Sequence, residues 1–150
     1  MLNEIAGYAI GLLFFCPFNS IVHELGHIFF VKLFGGKITS IDIGYGNVWL
    51  RFRKWKVRQY FFMYGSMTFK EDSLAINNRA VRLLIDAGGI LANIVILILV
   101  ISLFNHYAPG NFIKGYYIGF TATLIISVLL PYSLPDGTDS DGKSLLKHLS

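Results

Sequence analysis

Charged side chains are what this sequence has least of. Asp, Glu, Lys and Arg make up 15% of its 150 residues, against 54% hydrophobic, and its mean hydropathy is +0.56. So little charge cannot wet the surface of an ordinary soluble domain. The composition therefore points to an integral membrane protein, and 150 residues leave room for one domain without an accessory module. Cysteine is almost missing too: the single Cys16 sits in an apolar run, excludes an internal disulfide, and reads as a small hydrophobe. The N-terminus lacks a basic n-region, carries Glu4 instead, and has no small-x-small cleavage site before Pro17, so its apolar run is expected to be retained. The formal charge is +4, but the basic residues lie between hydrophobic stretches. That placement suits the edges of a membrane, and no nucleic-acid partner is expected.

Three apolar stretches have the roughly 20 residues that a helix needs to cross a bilayer: about 5–34, 80–104 and 112–130. Pro17 and Asn19 fall within the first, where a kink or break is expected. The short turn NHYAPGN makes the last two an antiparallel neighbouring pair. Residues 37–69 differ in kind. ITSIDIG and NVWLRFR alternate with period two around the turn residues Gly44, Gly46 and Asn47, and KVRQYFFMYG is a candidate third strand. A basic loop lying on the headgroups is the competing reading, and the aromatics of WLRFRKWKVRQYFF suit an interfacial anchor. The expected fold class is thus an α-helical integral membrane protein, with about three transmembrane helices and a small membrane-associated β-hairpin or sheet between helices one and two. Ten of the thirteen basic residues fall between Lys32 and Arg82. The positive-inside rule then puts the hairpin and the C-terminus in the cytoplasm, with the N-terminus outside.

The first stretch carries HELGH, whose ionisable groups would be costly at membrane depth without a function. On a helix His23 and His27 are four residues apart and share a face, so both imidazoles can hold one metal ion. Glu24 is one step round and able to take a proton from a water on that ion, then pass it to a leaving amine. Two histidines leave zinc short of a third protein ligand. The candidates are His106, His148 and the aspartates of PDGTDSDG, namely Asp136, Asp139 and Asp141. An EF-hand reading of that cluster fails, because Gly137 stands where a ligand is needed and no closing glutamate follows. A solvated turn leading into an N-capped helix, SDGKSLLKHL, is compatible with ligation. Gly88 and Gly89 read as a close helix crossing, and Asn93 as an interhelical hydrogen bond or a contact for substrate.

Together these motifs resemble the site-2 protease family of intramembrane zinc metalloproteases. The resemblance spans nearly the whole chain: HELGH, a β-rich segment after it, AGGILAN, and a Pro-then-Asp-Gly element after the third helix. The family's Gly-Pro-x-x-Asn motif falls on Gly89 and Asn93, with Ile90 in place of proline; in the third motif Pro131 fits, while Val128 stands where asparagine is expected. The resemblance implies a zinc endopeptidase that cuts in or near a transmembrane segment of a membrane protein or peptide precursor, in regulated intramembrane proteolysis near the cytoplasmic face. It implies Zn2+ on His23, His27 and Asp141, whose following SLLKHL matches the family's helix, with Asp136 as the alternative. It also implies that a locally unwound substrate is held as an added strand on residues 43–62, at Ile43, Gly44, Tyr45 and Gly46, helped by Asn93. A metal-binding membrane protein without catalysis, acting as a binding or immunity factor or as a metal transporter or sensor, is the rival function.

Overall fold

The computed structural model describes residues 2–107, 112–134 and 137–149. The first span is helical throughout: α1 (Leu2–Ile10), a π-helical turn (Gly11–Phe15) and α2 (Cys16–Leu33). Pro17 does not break it. Proline has no N–H for the carbonyl one turn earlier, and the ladder shifts just upstream, where the Cys16 N–H bonds the Gly11 carbonyl in the wider π register. The other two long helices are α3 (Arg79–Tyr107), which begins with the Val81 N–H on Asn78 Oδ1 at 2.9 Å, and α4 (Phe112–Leu129). The expected turn between them falls mostly on residues 108–111, outside the described residues. The short α5 (Asp141–Leu149) follows. Among the described residues, three helical spans are long and apolar enough to cross a membrane.

The distribution of side chains is inverted relative to a protein folded in water. Phe18, Leu25, Phe29 and Leu33 recur at helical spacing on the exposed side of α2, while Asn19, Ser20, His23, Glu24 and His27 are buried. Of the five largest fully buried side chains, Glu24, Asn19, Asn93 and Thr121 are polar and only Val31 is not. Lipid tails cover an apolar exterior without cost, and polar side chains then gain by facing one another inside. Glycines set the helix spacing. A Cβ on Gly26 would come within 2.1 Å of the Gly88 carbonyl oxygen, so α2 and α3 touch backbone to backbone.

Between α2 and α3 lie β1 (Lys37–Phe52) and β2 (Trp55–Lys70), an antiparallel pair in one two-stranded sheet. The expected turn at Gly44–Asn47 is replaced by one at Arg53 and Lys54, where Arg53 takes φ 53°. Gly44 and Gly46 instead adopt φ 89° and 91° inside a continuous β1, as bulges. The distal half of the hairpin consequently curls back. Ile41 pairs with both Met67 and Trp55, Asp42 with both Ser66 and Lys56, and Ile43 with both Gly65 and Val57. KVRQYFFMYG is part of β2 and not a separate strand. Arg58 holds the curl, with Nη2 2.6 Å from Asp42 Oδ1 and Nη1 donating to the Gly46 carbonyl at 2.9 Å. Burial alone would raise the Asp42 carboxyl, but the Ser40 hydroxyl and the Arg58 guanidinium outweigh it and hold it below the usual range. Beneath the hairpin, Ile38, Ile41 and Ile43 pack on Val31, Leu74, Val81 and Ile85, the apolar core.

Candidate metal centre

His23 and His27 come from successive turns of one face of α2, with Glu24 one step round from His23, and Asp141 is the first residue of α5. The structure brings three ligand atoms together: His23 Nε2 lies 3.1 Å from His27 Nε2 and 2.9 Å from Asp141 Oδ2, with 3.3 Å between His27 Nε2 and that oxygen. The outer ring nitrogens are occupied elsewhere. His27 Nδ1 is 2.7 Å from the Ile85 carbonyl, a contact that only a protonated Nδ1 can make favourably, which in the neutral ring leaves Nε2 as a bare lone pair. His23 Nδ1 is 3.3 Å from the Asn93 amide, whose Oδ1 is fully buried without a partner. Exchanging the amide oxygen and nitrogen, which have the same shape, pairs that oxygen with an Nδ1–H and frees His23 Nε2 likewise.

Two imidazole lone pairs and a carboxylate oxygen so close together repel unless a cation lies among them. The donor set suits zinc. Bonds of about 2.0–2.2 Å place neighbouring ligands of a tetrahedron roughly 3.3–3.6 Å apart, and three protein ligands leave one position open. Burial would raise the Asp141 carboxyl, but contact with His23 and His27 outweighs it and holds the group well below the usual carboxylate range.

Asp141 is aimed by its loop. Ser140 caps α5, receiving the Lys143 N–H at 3.3 Å, and its hydroxyl donates to the Leu130 carbonyl at 2.6 Å. The next residue must be glycine, because a Cβ on Gly142 would lie 1.9 Å from the Leu129 carbonyl oxygen. The other candidate ligands are elsewhere. Asp139 accepts from Ser133 and pairs with Lys143 and Lys147, which hold its carboxyl well below the usual range. His148 faces Asp86 at 3.4 Å, and His106 is exposed at the far end of α3. Asp136 lies outside the described residues.

The cluster opens into a cavity of about 550 Å³, bordered by residues 63–69 of β2, by Leu124, Ser127 and Val128 of α4, and by the loop before α5. Glu24 is 2% exposed and its Oε2 has no partner. Gly65 makes room for it, since a Cβ there would meet the Glu24 carboxyl at 2.8 Å. The strand expected to receive substrate, residues 43–62, is displaced by the curl of the hairpin. Ile43 is in the core with neighbours on both edges, Gly44 and Gly46 are bulge residues, and of the four only Tyr45 borders the cavity. Asn93 touches His23 instead of opening onto the cavity. Gly88 serves the helix crossing as expected, but Gly89 seats the His23 ring, 2.5 Å from where its Cβ would be. Two residues that no sequence motif singles out, Gly65 and Ser20, also line the cavity; Ser20 lies four residues before Glu24 on α2.

Residues 10–145 match a protein-family model described as Peptidase family M50. Over 148 residues the chain is 29% identical to the uncharacterized membrane protein YwmF of Bacillus subtilis (strain 168), covering 98% of this chain and 91% of that one. No solved structure matches.

Proposed function

This chain belongs to peptidase family M50, the site-2 protease family, and from that premise we propose that it is an intramembrane zinc endopeptidase, hydrolysing a peptide bond in or near a transmembrane segment of a membrane protein or peptide precursor. The observation that carries the reading is the facing of His23 Nε2, His27 Nε2 and Asp141 Oδ2 within 3.3 Å of one another. These three atoms would hold zinc, which supplies the Lewis acidity that acidifies a water and polarises a carbonyl. Glu24 has the proton-transfer role: its unpaired Oε2 takes the proton of the attacking water and returns it to the departing amine nitrogen. A structural or transport site would gain nothing from a buried carboxylate oxygen left unpaired, which favours the peptidase over a metal carrier.

The substrate helix must unwind before water reaches its amide. Each freed N–H and C=O then needs a partner, at a cost of several kcal/mol if it finds none in hydrocarbon. Residues 63–69 of β2 border the cavity beside Glu24, and strand addition along them would supply those partners. The concentration of basic residues between Lys32 and Arg82 supports an orientation with hairpin, active site and C-terminus on the cytoplasmic side and the N-terminus outside.

The test is purified protein in vesicles, with metal content and product mass measured together. Wild type and Glu24→Gln are expected to carry one zinc each, and only wild type to cut. Equal biological activity in Glu24→Gln would end the peptidase reading.

A further inference from the structure

Hydroxyls on apolar helices usually turn back on their own backbone. Here Thr121 donates to the Tyr117 carbonyl at 2.8 Å, Thr123 to Gly119 at 2.9 Å and Ser127 to Leu124 at 2.7 Å. Ser20 departs from the pattern. Its side chain is 2% exposed, its Oγ has no partner, and it lies on the wall of the same cavity as Glu24 and the two histidines. Four residues separate it from Glu24, so the two groups stand one above the other on a single face of α2. Ser20 is the one nearer the middle of the span Asn3–Leu33.

We propose that Ser20 is a substrate-contact residue, its hydroxyl donating to a main-chain carbonyl of the unwound peptide on the membrane-interior side of the bond that is cut. This rests on the peptidase reading. A strand laid along β2 satisfies only the groups on one of its edges, and those on the other edge face the helices. In hydrocarbon they need a polar partner. Among the described residues, Ser20 carries the buried cavity-lining hydroxyl that has none. The bond proposed is the one that Thr121, Thr123 and Ser127 make within their own helices, redirected to a guest.

The probe is a synthetic single-span peptide in phosphatidylcholine vesicles that the wild type cuts. Ser20→Ala is expected to lower kcat/KM about tenfold, as for loss of one hydrogen bond, at unchanged zinc content, while Ser20→Thr retains activity near wild type. In a Glu24→Gln background, where turnover is absent, Ser20→Ala should weaken binding of the intact peptide by a similar factor. Replacing single backbone amides of the peptide by esters, which weakens one carbonyl acceptor and removes its N–H at each position in turn, should reveal a position at which wild type and Ser20→Ala perform alike. Cutting and binding by Ser20→Ala within twofold of wild type would overturn the proposal and leave the peptidase reading standing. A zinc-loaded wild type that cuts no membrane peptide would remove that reading and this one with it. Ser20→Thr and Ser20→Val, matched in shape, carry the same comparison should the alanine variant fail to fold.

Discussion

Gly89→Ala isolates the seat of His23 from everything else in the protein. The added methyl would lie 2.5 Å from one ring atom of the imidazole and 2.6 Å from two others. Ordinary contact begins near 3.4 Å, so the ring must retreat by about 1 Å, several times the roughly 0.2 Å tolerance of a metal–ligand distance. Retreat would also stretch the 3.3 Å contact that the ring makes with Asn93, one turn further along the same helix. Changes around a ligand cost about 10–100-fold in metal affinity, or roughly 1.4–2.8 kcal/mol at 1.4 kcal/mol per decade. Alanine also raises helix propensity over glycine by about 1 kcal/mol, so the fold itself should not suffer. The assay is competition for zinc against a chromophoric chelator, beside thermal unfolding of the metal-free protein. A variant whose zinc affinity stays within twofold of wild type would refute the proposed role of His23 as a ligand held by this notch.

Gly26→Ala, by contrast, sets a methyl 2.1 Å from the Gly88 carbonyl oxygen, where backbone must move; it should lower the unfolding temperature of the whole helical assembly, with or without metal, and an unchanged melt would count against the close α2–α3 crossing. Arg58→Ala leaves the largely buried Asp42 carboxylate without its 2.6 Å partner and frees the Gly46 carbonyl, costing about 1–3 kcal/mol; cleavage by added protease within residues 44–60 should appear first, and a hairpin as resistant as wild type would contradict the bracing role. Because Asp42 is held below its ordinary value of about 3.9, its contribution is complete above that value and is lost as pH falls through the lower folded one. Protection of the hairpin should therefore be level from pH 8 to about pH 5 and decline only in stronger acid; a loss between pH 8 and 6 would point to another group. Asp141→Asn keeps the shape of the side chain but removes its charge, and zinc affinity should drop by at least 10-fold, on the order of 1.4 kcal/mol, as read by the same chelator competition; unaltered affinity would reassign the third ligand.

Local periodicity accounts for what could be read without the fold. Residues four apart on a helix share a face whatever surrounds them, so HELGH announces a paired-histidine site by itself. Runs of about twenty apolar residues announce spans because bilayer thickness, and not tertiary contact, sets that length. Alternation places a hairpin after α2 for the same reason. Its turn falls at Arg53 and Lys54 and not at Gly44–Asn47 because Gly44 and Gly46 carry a turn signal equally well as bulges, and the choice between these depends on Arg58 reaching Asp42 across the curl.

What tertiary structure decided is everything that depends on contact between distant elements. Asp141 rather than Asp139 faces the histidines because Ser140 caps α5 and Gly142 fits under Leu129, while lysines one and two turns into α5 hold Asp139. The edge bordering the cavity became residues 63–69 because the curled hairpin occupies both sides of 41–43. Gly89, Gly65 and Ser20 matter only through the neighbours that packing gives them. The sequence alone thus determined that a metal-suited pair of histidines lies in a membrane-length helix, since both properties are local; that Asp141, the ligand the resemblance implies, faces them, and which strand and hydroxyl border the cavity, was left to the packing of α2, β2 and α5, which local pattern does not encode.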